Sequence, residues 1–191
     1  MRRYLLIALA LFVVLIAGAC LVVALQPAEF GIQRSARIAA PADKVFPLVN
    51  DLRAWETWSP WSKLDPNAQT TLSEPAVGKG AKISWNGNEQ VGEGSMTIVE
   101  SRPNELVALE QTFVRPMPGS AQFAYEFVPQ GPGETEVTLR MSGKNGFLGK
   151  AMCLVMNMET MLGPSFDEAL ANLKKQSEAS APAAATGDQG K

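Results

Sequence analysis

The sequence predicts an α+β domain behind an N-terminal transmembrane helix: about seven antiparallel strands form one sheet, and a long C-terminal helix covers it. Three observations predict this. An unbroken apolar run fills Tyr4 to Leu25, strand-like segments succeed one another after Gln69, and apolar residues recur at three-and-four spacing from Leu148 to Leu173.

The first segment holds about 22 residues without a charge, a length that spans roughly 33 Å as a helix and matches a hydrocarbon core. Cleavable signals carry shorter apolar stretches. Ala17, Gly18 and Ala19 before Cys20 offer a small-residue cleavage or lipoprotein-like site, but cutting there would strand Leu21 to Leu25 as an apolar stub, so an uncleaved anchor is expected. Arg2 and Arg3 precede the run, and the first basic residue after it is Arg34. The positive-inside rule then puts residues 1–3 in the cytoplasm and the domain on the outer side, periplasmic in a bacterium.

Residues 26–29 form a linker, and residues 30–178 are long enough for one core. Phe30, Ile32, Ala36 and Ile38 alternate with polar positions as a half-buried strand. Pro41 suits the first position of a helix carrying Val45, Phe46, Leu48 and Val49, with Asp43 at its positive end and Pro47 keeping it short or kinked. A second short helix runs from Leu52 to Trp58, stopped by Pro60.

Six strands follow: Thr70–Ser73, Ala81–Trp85, Gly92–Glu100, Leu106–Val114, Gln122–Val128 and Thr135–Met141. Asn86-Gly87 suits a tight hairpin, and Pro129 to Gly133 reads as a loop. Phe123, Tyr125 and Phe127, with Val137, Leu139 and Met141, share one face; Gln122, Glu126, Glu136 and Arg140 share the other. Asn145 or Gly146 opens the closing helix, which Gly163-Pro164 kinks or restarts, with Asp167 and Glu168 in a new first turn and Lys174 and Lys175 in the last. The Ala/Pro/Ser/Gly tail, residues 179–191, reads as disordered.

The net charge of -2, from 17 basic and 19 acidic residues without long runs, gives no electrostatic footprint for nucleic acid. Histidine is absent, which excludes Ser-His-Asp and Cys-His nucleophiles, HExxH zinc sites and imidazole proton shuttles. Cys20 and Cys153 lie in the apolar segment and the closing helix, so no disulfide between them is expected. No metal site, cofactor or catalytic motif is read.

Three segments carry a family resemblance: RSARIAAPADKVFPLVNDLRAWETWSPWSKLDP, GKGAKISWNGNEQVGEGSMTIVESRPNELV and SGKNGFLGKAMCLVMNMETMLGPSFDEALANLK. In these words and in element order the chain resembles the START-like helix-grip (SRPBCC) superfamily, in its polyketide cyclase/dehydrase-like branch. The resemblance implies a curved sheet wrapped on the closing helix around an apolar cavity. Pro164 departs from the pattern, since the related helix commonly runs through that position.

A lining drawn from the inward positions comprises Ile83, Trp85, Met96, Phe113, Phe123, Tyr125 and Met141, with Gln111 and the Tyr125 hydroxyl as polar handles. Trp55, Trp58 and Trp61 read either as an aromatic lip or as core packing. Met152, Met156, Met158 and Met161 suit an adaptable wall or plain core filling. The expected partner is a small hydrophobic molecule or lipid, alongside the membrane itself. Two other readings stay open: an enzyme using a cavity carboxylate among Glu89, Glu93, Glu100, Glu110 and Glu126, and an interaction module with a filled core.

Overall fold

The computed structural model describes residues 2–155 and 157–180. Helix α1 (Arg2–Leu25) is long and apolar enough, by length and composition, to cross a membrane, and none of its apolar stretch is buried by the rest of the chain. Three residues join it to β1 (Glu29–Ile38). There follow α2 (Ala42–Asn50), a 3-10 turn (Leu52–Ala54), α3 (Trp55–Trp58) and a second 3-10 turn (Pro60–Lys63). The strands β2 (Gln69–Leu72), β3 (Lys82–Asn86), β4 (Glu93–Arg102), β5 (Leu106–Arg115), β6 (Gly119–Gly131) and β7 (Glu134–Lys144) come next. The helices α4 (Phe147–Val155) and α5 (Met158–Ala179) close the domain.

One seven-stranded antiparallel sheet results, in the order β1-β7-β6-β5-β4-β3-β2. The two short helices carry the chain from the β1 edge to the β2 edge, and consecutive hairpins lead back until β7 pairs with β1. Bulges at Glu93/Gly94, Ile98/Glu100 and Pro129/Gly131 bend the strands. Alternation holds as the sequence predicts: Phe123, Tyr125, Phe127, Val137 and Leu139 are buried on the inner face, while Gln122 and Arg140 are exposed. The described end of the domain is helical through Ala179, capped at Ser180, and residues 181–191 of the expected tail lie outside the described residues.

The structure corrects several local expectations. Pro41 is the N-cap of α2, one position before the predicted one. Asn86-Gly87 is not a two-residue hairpin: the connection runs from Gly87 to Gly92, where Asn88 Oδ1 accepts from the Gln90 and Val91 amides at 2.9 and 3.1 Å. The left-handed backbone falls on Gly92 (φ +67°), and the Asp65 carboxylate anchors the wider loop by accepting from the Asn88 amide at 2.7 Å.

Strand β6 continues through Pro129 to Gly131, leaving only Pro132 and Gly133 as a turn. The Phe127 amide bonds Glu105 of the neighbouring chain segment, and β5 begins only at Leu106, opposite Glu126. Pro129 therefore lies where no β5 carbonyl waits for a donor.

The closing helix breaks before Asn157, not at Gly163-Pro164. Asn157 Oδ1 accepts from the Glu159 amide at 2.9 Å and so caps α5, which then carries Pro164 in its interior. Gly163 has a packing reason instead. The Arg34 guanidinium lies against it, bonded to Glu159 at 2.6 Å and Asp167 at 3.1 Å, and a Cβ at 163 would stand 2.5 Å from Arg34 Nη2. Asp167 thus ties α5 to β1 in mid-helix instead of opening a first turn. Of the two closing helices, α5 lies on the domain, against β1, α2 and the α3 region, while α4 packs beside α1.

Candidate ligand-binding site

The register places the inner-face residues in rows across the sheet. One row runs Leu139, Tyr125, Val107; the next runs Met141, Phe123, Leu109, Ile98. Toward α1 follow Gly143, Ala121, Gln111, Met96, Ile83, and then Phe113, Gly94, Trp85. Because Glu29 pairs with Lys144, this is the end of the sheet at which β1 starts, with β1 and β7 at the α1 edge and β3 toward the opposite edge.

Burial falls along these rows. Ile38, Val107, Val137 and Leu139 at the far side are closed off completely, and Tyr125 is 2% exposed. Ile83, Trp85, Phe113 and Met141, toward the end of the sheet where β1 starts, are only partly buried. The reason lies in the helices. Trp55 and Trp58 sit edge-on to Tyr125 at 6.1 and 6.0 Å between ring centroids, and Phe166 of α5 stacks on Phe123 at 6.1 Å. Phe113 meets Trp85, at 6.2 Å, and those two rings stand beyond this helical cover.

Small residues in these rows are covered by neighbouring rings, Gly94 by Trp85 and Gly143 by Phe30. Trp85 and Phe113 flank Gly94 in the register, and a Cβ on Gly94 would stand 2.6 Å from the Thr112 carbonyl and 2.7 Å from the Trp85 ring. The glycine is therefore required by the close approach of strand and indole.

Sequence reasoning missed why Trp55 and Trp58 are tryptophans. Their indole N–H groups donate to the carbonyls of Val49 and Leu48, each at 2.9 Å. Asp51 and Gly78 amides bond the carbonyls of Pro47 and Asn50 at 3.0 Å each, so every orphan acceptor at the end of α2 has a partner. These two residues plug the far half of the inner face, and Trp61, edge-on to Phe166 at 6.1 Å, borders the near half.

Met96, Phe123 and Gln111 are buried in the near half's floor. Tyr125 is sealed in the plug, where burial pushes its phenol pKa above the ordinary value. Met152 departs from the predicted wall: it is 36% exposed on α4, and Met161 on α5 is 47% exposed. The break at Asn157 turns α4 away from the sheet, which removes Met152 from the lining. Met156 lies outside the described residues.

Charged groups avoid the inner floor. Glu93 pairs with Arg115 at 2.9 Å and Glu126 with Arg140 at 3.4 Å on the outer face, where Glu100 and Glu110 also stand, while Glu89 is in the β3–β4 loop. The carboxylates considered for catalysis are thus directed away from an inner-face guest. Two surface depressions, of about 340 and 390 Å³, lie on the outer face of β2–β4 and beside the β3–β4 loop, not between α5 and the sheet.

Comparison with solved structures bears out the helix-grip fold. The Zhui aromatase/cyclase of a Streptomyces species superposes with a TM-score of 0.60 at 16% identity, over 82% of this chain and 98% of that one. Protein MLL2253 from Mesorhizobium loti gives 0.58 at 12% identity, over 80% and 100%. The Aha1 dimer from Colwellia psychrerythraea gives 0.55 at 16%, over 78% and 96%. No curated protein matches the sequence. Residues 29–178 match the family model described as polyketide cyclase / dehydrase and lipid transport, and the chain belongs to that family.

Proposed function

We propose that this protein is a membrane-tethered binding or carrier module for a small hydrophobic molecule or lipid. Helix α1 is the tether, the N-terminus is cytoplasmic, and the domain stands on the outer side. The guest lies on the near half of the inner face, with Phe113, Trp85, Ile83, Met96, Phe123 and Met141 as apolar contacts and Gln111 as the polar handle.

The observation that carries this reading is the direction of the burial gradient. Apart from Gln111, Ser101 and Thr135 the inner face is apolar, sealed at the far side and incompletely covered at the end of the sheet where β1 starts. An apolar guest leaving a bilayer would meet the open side first, and covering those side chains would stabilise the complex by roughly 25 cal/mol per Å² of apolar surface removed from water.

The test is a titration of the full chain in phosphatidylcholine nanodiscs with an anthroyloxy fatty acid, read by energy transfer from tryptophan. Saturable transfer is expected. Phe113→Glu should weaken it at least tenfold, and Glu110→Gln, on the outer face, should leave it unchanged. Transfer that is linear in probe, or insensitive to Phe113→Glu, would contradict the reading.

A further inference from the structure

We propose that α4, together with the β5–β6 turn, is a lipid-facing rim that dips into the bilayer surface beside α1. The domain would then rest on the membrane, not swing on its tether. This rests on the reading of α1 as a membrane span.

Two contacts fix the direction of α4. The Asn145 amide donates to the Ala28 carbonyl at 2.7 Å, and Lys150 Nζ donates to the Ala24 carbonyl at 3.1 Å. Each step forward along α4 is therefore a step back along α1, so the C-terminal turn of α4 lies beside the apolar stretch of α1, level with residues before Ala24. A bilayer that surrounds α1 to Leu25 reaches that turn too.

The surface there has the chemistry of a bilayer interface. Phe147 is 54% exposed, Leu154 48%, Met161 47% and Met152 36%. Across the same end of the domain stand Val114 at 52% and Met117 at 45%, the latter in the β5–β6 turn. From Asn145 to Asn157 the one charge in the sequence is Lys150, whose long stem lets its ammonium reach the polar boundary while apolar neighbours go deeper. Left in water, this patch would have no partner among the described residues; in lipid it is satisfied. The rim also borders the open half of the inner face, so docking would bring bilayer and guest site together.

Three single-cysteine chains test the rim, each with an environment-sensitive fluorophore, in vesicles of phosphatidylethanolamine and phosphatidylglycerol with doxyl groups near the headgroup end. Label at Leu154→Cys (in Cys20→Ser, Cys153→Ser), at native Cys20 (in Cys153→Ser), and at Gly133→Cys (in both serine substitutions), the turn at the far side of the sheet. The expected result is several-fold stronger quenching at positions 154 and 20 than at 133, with loss of the position-154 signal on adding Phe147→Glu. Quenching at 20 with none at 154 overturns the rim and leaves the span standing. Absence at both overturns the span and the rim with it. A label at 154 that is shielded from water yet indifferent to doxyl lipid means a second copy covers α4, which also overturns the proposal.

Discussion

Tyr125 joins the packing of the domain to a measurable titration. Its ring is held by Trp55 and Trp58, and burial disfavours the phenolate, so its pKa in the folded state lies above the ordinary 10.0. An unfolded chain loses that proton near pH 10 while the folded chain keeps it, so stability is full below about pH 10 and falls as pH rises past it. We expect the wild-type unfolding free energy to decline by up to about 1.4 kcal/mol per pH unit more steeply than that of Tyr125→Phe above about pH 10. Urea titrations in micelles across that range measure it, and parallel slopes would mean that the hydroxyl is solvated. The sequence made the inward set legible because strand alternation fixes direction; it could not separate plug from floor, because that depends on which rings the helices bring down.

The end of α2 shows the same limit at the scale of an element. Spacing of Trp55, Trp58 and Trp61 suggested an aromatic cluster, and the structure adds the polar half of the reason: two indoles complete the hydrogen bonding of the helix. Trp58→Phe should therefore cost about 1–3 kcal/mol, most of it from the buried Leu48 carbonyl left without a donor. Chemical denaturation of the full chain measures this, and a change below about 0.5 kcal/mol would mean that water replaces the indole. Strands were placed within a few residues because period-two patterns are strong. In the closing helix proline is a conspicuous break signal, whereas the Asn157 cap, with one accepted hydrogen bond, is a quiet one, and the break falls at the quiet one. Met152 is exposed for this reason, since α4 forms no wall against the sheet.

At the scale of the molecule, three residues between α1 and β1 set how the domain can sit. The edge strand starts just after the apolar helix, so the β1–β7 corner of the sheet lies next to whatever surrounds that helix. The far half, closed by the α2 and α3 aromatics, is the most completely buried part of the inner face, and the proposed guest lies over the near half. Function is less legible than fold for a physical reason: an apolar floor selects a class of guest by hydrophobicity, while the identity of a guest depends on shape and on buried polar groups such as the Gln111 amide.

Native mass spectrometry of the full chain, released from its own membranes in nanodiscs, tests the central claim most directly. The account predicts a stoichiometric apolar adduct that persists after α1-bound lipid is stripped and that disappears in Phe113→Glu. A bare chain in both proteins, or an adduct that survives Phe113→Glu unchanged, would contradict it.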